Sequence, residues 1–230
     1  MGSFTHLFPL SVYRDRVVLD ASYQQSLVEH VMRMEAETAA RATSHSAWLG
    51  DTRGFEFLFQ LEAFQPLFQQ IGKLVREYTA SLGFDTNLID FYFQRAWATV
   101  TRKGEHISDH SHEQSNISVA YYLKKPSQSG AINFMTESHP NEFSRGILSP
   151  SKAALGFIRQ PSMLTWNAVS IDAAEGEILI FPSKTLHSTT PSESDDVRIS
   201  LSADITTLLK DSRGHETMMP HFSQWRRFEL

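Results

Sequence analysis

The chain has 230 residues, 41% of them hydrophobic and 20% charged, which is apolar enough to bury a sizeable core and excludes a disordered polymer. A formal net charge of −5 offers no basic field for nucleic acid or an anionic membrane, and no stretch approaches the roughly 20 apolar residues of a membrane-spanning helix. Cysteine is absent, which excludes thiol catalysis, Cys-ligated zinc, iron–sulfur clusters and disulfides. The opening MGSFTHLFPL lacks the basic region and apolar run of a secretory signal, so one cytoplasmic domain spanning 1–230 is expected, with its histidines as the first place to look for chemistry.

In chain order, residues 1–88 read as a helical N-terminal part. Asp20 can cap a helix through Tyr23, Leu27, Val28, Val31 and Met34, which recur at the spacing of one buried face. Residues 38–54 are small and polar and read as a long connection. A second helix is expected from Leu61 to Leu82, with Pro66 in its first turns and Gly83 ending it. From residue 89 to 210 the pattern changes to short β-branched and aromatic runs: 91–100, 115–125, 131–135, 163–166, 177–182 and 197–205. Turn residues separate them, so a mainly β domain of sandwich or jelly-roll type is expected, with the helices packed on one outer face and 211–230 as a C-terminal tail. Residues 136–162 are long for a connector and carry Phe143, Ile147, Leu148, Leu155, Phe157 and Ile158. They are expected to pack as a lid over the barrel mouth or against a second copy in a homodimer, with Arg145 or Arg159 available to an anionic group.

Chemistry concentrates in Gly104-Glu-His106-Ile-Ser-Asp109-His110-Ser-His112-Glu113. On an extended strand His110 and His112 project from one face, and two neutral imidazoles converging in this way suit a divalent first-row metal. Asp109 and Glu113 have the opposite parity. The spacing of His106 and His110 also fits a helical pair, but barely one turn of helix fits before the next strand. A His-x-His pair alone reads equally as a polar surface loop. A third histidine, His187, follows a tight turn and an apolar strand, where the strand opens toward solvent. Arg198 and Ser200 then share one face of another apolar strand. An inward arginine needs an anion, and a carboxylate held by guanidinium with a serine hydroxyl beside it is the natural partner; an outward one is an ordinary surface residue.

These residues together resemble the 2-oxoglutarate-dependent Fe(II) oxygenases. The closer resemblance is to a branch that reads His-x-His, Ser-Gly-x-Tyr-Tyr, Gly-x-x-x-Phe, an acidic-Gly turn, Phe-Pro-Ser, a distal His and Arg-Ile-Ser. Here the corresponding residues are His110-Ser-His112, Ser118-Val-Ala-Tyr121-Tyr122, Gly130-Ala-Ile-Asn-Phe134, Glu175-Gly176, Phe181-Pro182-Ser183, His187 and Arg198-Ile199-Ser200. The resemblance implies a double-stranded β-helix that binds Fe(II) at His110, His112 and His187 and uses 2-oxoglutarate and O2. Arg198 and Ser200 would clamp the far carboxylate, with Ser118 and Tyr122 as further contacts. It implies hydroxylation of a C–H bond in a small-molecule or amino-acid-like substrate, with release of succinate and CO2.

The chain departs from the commonest oxygenase pattern at His112, where a carboxylate is usual. Three ligand sets stay open: all three histidines, two of them, or a set completed by Asp109; strand parity favours three histidines. Val119 stands where the branch has Gly, and Thr99 where Asn is expected. Two other classes share the fold. A cupin-type dioxygenase or isomerase without 2-oxoglutarate matches Gly104 with the His-x-His pair, and Gly176, Pro182 and His187. It lacks the cupin glutamate at Asn116 and has no need of Arg198. The other class is a catalytically inactive β-helix binding domain. His139, His215 and His221 are expected on the surface.

Overall fold

Each helix begins where local chemistry dictates in the computed structural model, which describes residues 3–38, 46–215 and 219–228. Residues 39–45 of the expected connection and 216–218 and 229–230 of the expected tail lie outside the described residues. Helix α1 (Ala21–Glu37) is capped as expected, Asp20 Oδ1 accepting from the backbone N–H of Ser22 at 2.9 Å and of Tyr23 at 3.4 Å. Helix α2 (Gln65–Ser81) starts four residues later than its apolar spacing predicts. Pro66 is the reason: a helix from Leu61 would set its ring against the carbonyl of Glu62, so Leu58–Gln60 and Glu62–Phe64 form 3-10 turns instead. Gly83 follows the helix at φ +94°, a left-handed conformation that costs glycine little.

The strands are β1 (Tyr13–Arg16), β2 (Trp48–Leu49), β3 (Ile89–Thr101), β4 (Ile117–Lys124), β5 (Ile132–Met135), β6 (Ala168–Ile171), β7 (Glu177–Pro182), β8 (Leu186–Thr189) and β9 (Arg198–Leu209). A short helix α3 (Pro150–Ala153) lies between β5 and β6. A six-stranded antiparallel sheet runs β1-β7-β4-β9-β3-β2, and a three-stranded one runs β6-β5-β8. Three sequence expectations change. The N-terminal part is not helical alone, because β1 and β2 form the two edges of the large sheet, where charged Arg14, Asp15 and Arg16 are tolerated. Residues 163–166 are not a strand: the N–H groups of Thr165 and Trp166 both bond to Ser162 O, closing a turn, and the strand lies at 168–171. Residues 186–189, too short for periodicity to reveal, form β8.

Strand alternation separates two cores. On β9, Ile199, Leu201, Ala203 and Ile205 face outward and pack with Leu27, Val31 and Met34 of α1 and Leu67, Phe68, Ile71 and Val75 of α2. Each fully buried aliphatic side chain there contributes about 1.5–3 kcal/mol. The other face meets the small sheet through Tyr122, Leu179, Phe181, Ile132 and Phe134. A register shift between Phe93 and Arg95 on β3 sets the phase of the residues after it, with Ala96, Ala98 and Val100 in the outer core and Trp97, Thr99 and Thr101 at the opposite parity. The arrangement is a double-stranded β-helix with helices on one outer face. No described helix is long and apolar enough to cross a membrane.

Candidate metal centre and anion pocket

Backbone pairing brings the three histidines together. His110 N–H donates to His187 O and His187 N–H to His110 O, both at 2.9 Å, and His112 N–H donates to Ser183 O at 2.9 Å. The segment before β4 is therefore held like a strand against β8, and His110 and His112 project to one side. One ring nitrogen from each of His110, His112 and His187 lies within 4.8 Å of the others. Every Nδ1 is already committed: His110 to Ser108 O at 2.8 Å, His187 to Thr185 O at 2.8 Å, and His112 to Asp204 Oδ1. These oxygens only accept, so each Nδ1 carries the proton and each Nε2 keeps a free lone pair. Trp97 stacks on His112 at 5.7 Å between ring centroids, and the edge of Phe181 meets His187 at 5.0 Å. Three imidazoles with their lone pairs converging in a half-dry setting fit a divalent first-row metal. Asp109 is exposed and outside this cluster, and His106 stands apart from it.

Burial also favours the neutral form of His110 and His187. Desolvation is the largest influence on His187, which is pushed down to about 4, the neighbouring His110 and His112 acting in the same sense against the Thr185 hydrogen bond. Burial lowers His110 as well. A histidine whose folded value lies below its unfolded 6.5 binds more protons when unfolded, so its contribution to stability is complete above pH 6.5 and is lost as pH falls toward 4. The metal-free protein is therefore expected to lose up to about 3 kcal/mol through His187 between pH 6.5 and 4. Urea midpoints across that range should fall less steeply for His187→Gln than for the wild type.

Sequence reasoning missed Asp204. This carboxylate on β9 is fully buried and accepts from His112 Nδ1 through Oδ1, while Oδ2 pairs with Arg95 Nη2 at 2.7 Å. Ser115 Oγ donates to Oδ1 at 3.2 Å. Burial alone would raise Asp204, but the hydrogen bond from His112 and the ion pair with Arg95 hold it below the ordinary carboxylate range. The available signal was parity, since residues 198, 200, 202 and 204 all share the inward face of β9.

Arg198 is 1% exposed. Its Nη1 donates to Ser129 O at 2.8 Å and its Nη2 to Thr101 Oγ1 at 3.1 Å, while Nε is buried without a partner. Among the described residues no carboxylate lies within ion-pair distance of it. A buried guanidinium bonded only to neutral oxygens is poised for an anion. Ser200 lies two residues along the same face, with Thr99 and Tyr122 opposite it on the flanking strands. Burial raises the Tyr122 hydroxyl to about 12, so it stays protonated and able to donate. Thr99 Oγ1 is a second buried polar atom without a partner. Ser118 sits instead opposite Asp204 and donates to Ser183 Oγ at 2.9 Å, toward the histidine end. Gly130, at φ +86°, passes close to the guanidinium: a Cβ there would lie 2.4 Å from Thr190 O and 3.0 Å from Arg198 Nη1.

The 136–162 segment carries several exposed apolar side chains. Phe143, Leu155 and Phe157 are exposed, as are Arg145 and Arg159. The segment forms its own turns and α3, and Thr136 N–H ties its start to Asn167 O at 2.9 Å. His139, expected on the surface, is buried: Nε2 donates to Met163 O at 3.1 Å while Nδ1 accepts from Asn141 N–H. His221 is also engaged, with Nε2 2.5 Å from the Tyr92 hydroxyl.

Residues 95–204 match the family model described as "Putative 2OG-Fe(II) oxygenase". No curated protein matches the chain by sequence. Among solved structures, a Pseudomonas putida prolyl-4-hydroxylase superposes with a TM-score of 0.54 at 14% identity, covering 86% of this chain and 93% of its own. The non-heme alpha-ketoglutarate-dependent epimerase SnoN from nogalamycin biosynthesis gives 0.56 at 13% identity, covering 90% and 84%. HygX from Streptomyces hygroscopicus, with nickel and 2-oxoglutarate bound, gives 0.51 at 12% identity, covering 86% and 83%. At these identities the likeness is one of fold.

Proposed function

We propose that the protein is a 2-oxoglutarate-dependent Fe(II) dioxygenase that hydroxylates a C–H bond of a small-molecule or amino-acid-like substrate, a reading supported by the match of residues 95–204 to the 2OG-Fe(II) oxygenase family model. Nε2 of His110, His112 and His187 would hold the iron. Arg198, with Ser200 and the Tyr122 hydroxyl, would take the far carboxylate of 2-oxoglutarate, and Ser118, paired with Asp204, lies nearer the metal end of the same sheet. Bound iron, 2-oxoglutarate and O2 supply the oxidation, one oxygen atom leaving in succinate as CO2 is released and the other entering the substrate C–H bond. The protein's part is to keep three imidazoles aimed, to anchor the cosubstrate by a charge-assisted fork, and to exclude water with Trp97, Phe134 and Phe181. The 136–162 segment, with Arg145, Phe157 and Arg159, is a lid in this reading, closing when substrate arrives.

One observation carries the proposal: a buried guanidinium without an anion, in the same β-helix as a histidine triad. A cupin-type enzyme has no use for it. The test is succinate formation by purified protein given Fe(II), 2-oxoglutarate and O2. Iron-dependent release, even slow and without a prime substrate, is expected. Iron binding with no affinity for 2-oxoglutarate would return the chain to the cupin-type reading, and no metal binding at all to that of a binding domain.

A further inference from the structure

An imidazole occupies the position of the usual carboxylate ligand, and a fully buried carboxylate stands directly behind it. Resting on the oxygenase reading above, we propose that Asp204 is a positioning residue for the metal centre. It holds His112 with Nε2 facing the metal, and it returns from one residue further out the negative charge that a three-histidine ligand set lacks.

The geometry separates this role from that of an ordinary ion pair. Asp204 divides its two oxygens: Oδ1 takes the His112 Nδ1–H and the Ser115 hydroxyl, while Oδ2 takes Arg95. The arginine therefore meets the side of the carboxylate away from the imidazole. It is also shared, reaching Asp51 Oδ2 at 3.4 Å, and its side chain is one-third exposed, so solvent screens it. Its guanidinium lies over Trp97, 5.0 Å from the ring centroid, and Trp97 in turn stacks on His112. Arg95, Trp97 and Asp204 thus clamp one imidazole from two sides. His110 and His187, by contrast, give their Nδ1–H to neutral backbone carbonyls. A carboxylate acceptor makes its imidazole a stronger donor to a metal than a carbonyl does, and losing such a partner typically weakens metal binding 10–100-fold. His112 is accordingly the most electron-rich of the three nitrogens offered.

The test uses Co(II) alone, titrated into the full metal-free chain and followed by visible absorption with a competing chelator. Asp204→Asn keeps the shape and removes the charge, and is expected to weaken Co(II) binding roughly 10–100-fold and to shift the ligand-field bands. Thermal melting of the metal-free variant checks that it folds. In the His112→Asp background position 112 has no Nδ1–H for Asp204 to hold and supplies the negative charge itself, so the same Asp204→Asn change should alter Co(II) affinity far less. That loss of effect is not expected of a residue that only supports the fold, whose replacement would cost the same in both backgrounds. Unchanged Co(II) affinity and spectrum in folded Asp204→Asn, or losses of equal size in both backgrounds, would overturn the proposal. Failure of the wild type to bind Co(II) would overturn the oxygenase reading and this inference together.

Discussion

Iron binding is expected to fall by at least about 10²-fold in His187→Ala. The strand that carries this histidine lies opposite the His110–His112 segment, so its loss removes one whole side of the centre. Replacing a partner of a ligand typically costs 10–100-fold, and removing a ligand itself should exceed that. The remaining pair also stays mutually close, and two neutral imidazoles on one segment cannot enclose an ion. Elemental analysis after anaerobic loading and desalting is the measurement. Full occupancy of folded His187→Ala would remove His187 from the ligand set. Asp109→Ala is expected to leave iron bound, because that carboxylate is exposed and faces away from the cluster.

Arg198→Met is expected to separate cosubstrate binding from stability. Truncating one side of a buried charge pair costs about 2–5 kcal/mol, so the dissociation constant for 2-oxoglutarate should rise by roughly 10²-fold or more while iron stays bound. The free protein should respond in the opposite direction. Its guanidinium is buried without a counter-ion, and replacing an uncompensated buried charge by an apolar side chain of similar volume is often neutral or stabilising. Melting curves with and without 2-oxoglutarate check both halves: the ligand-free transition should hold or rise, and the upward shift with 2-oxoglutarate should vanish. Arg198→Lys should recover only part of the binding, since a single ammonium cannot reproduce the planar fork. An unchanged 2-oxoglutarate affinity would place the anion elsewhere.

Much of this centre was legible in the sequence because strands have a period of two. His110 and His112 share a face for that reason, and so do Arg198 and Ser200, whatever the rest of the chain does. The cap at Asp20 and the stop at Gly83 are equally local. Pro66 fits the first turns of a helix, and it also decides where α2 begins. Edge strands and short strands escaped because Tyr13–Arg16, Trp48–Leu49 and Leu186–Thr189 are too brief or too polar to show a period.

Periodicity says which face a residue occupies, but not what lies opposite it. The sequence by itself determined a β-rich chain without thiols, in which His110 and His112 share one strand face and Arg198 and Ser200 another. Only the tertiary structure decided that Asp204 stands behind His112, 92 residues away, that Arg198 meets neutral oxygens and, among the described residues, no carboxylate, and that Phe143, Leu155 and Phe157 stay exposed. Those facts depend on the registers of β3, β4 and β9, which are set by the packing of both sheet faces at once. A one-residue slip in any of the three would leave every local pattern intact and send the carboxylate, the arginine and the hydroxyls to the wrong side of the sheet.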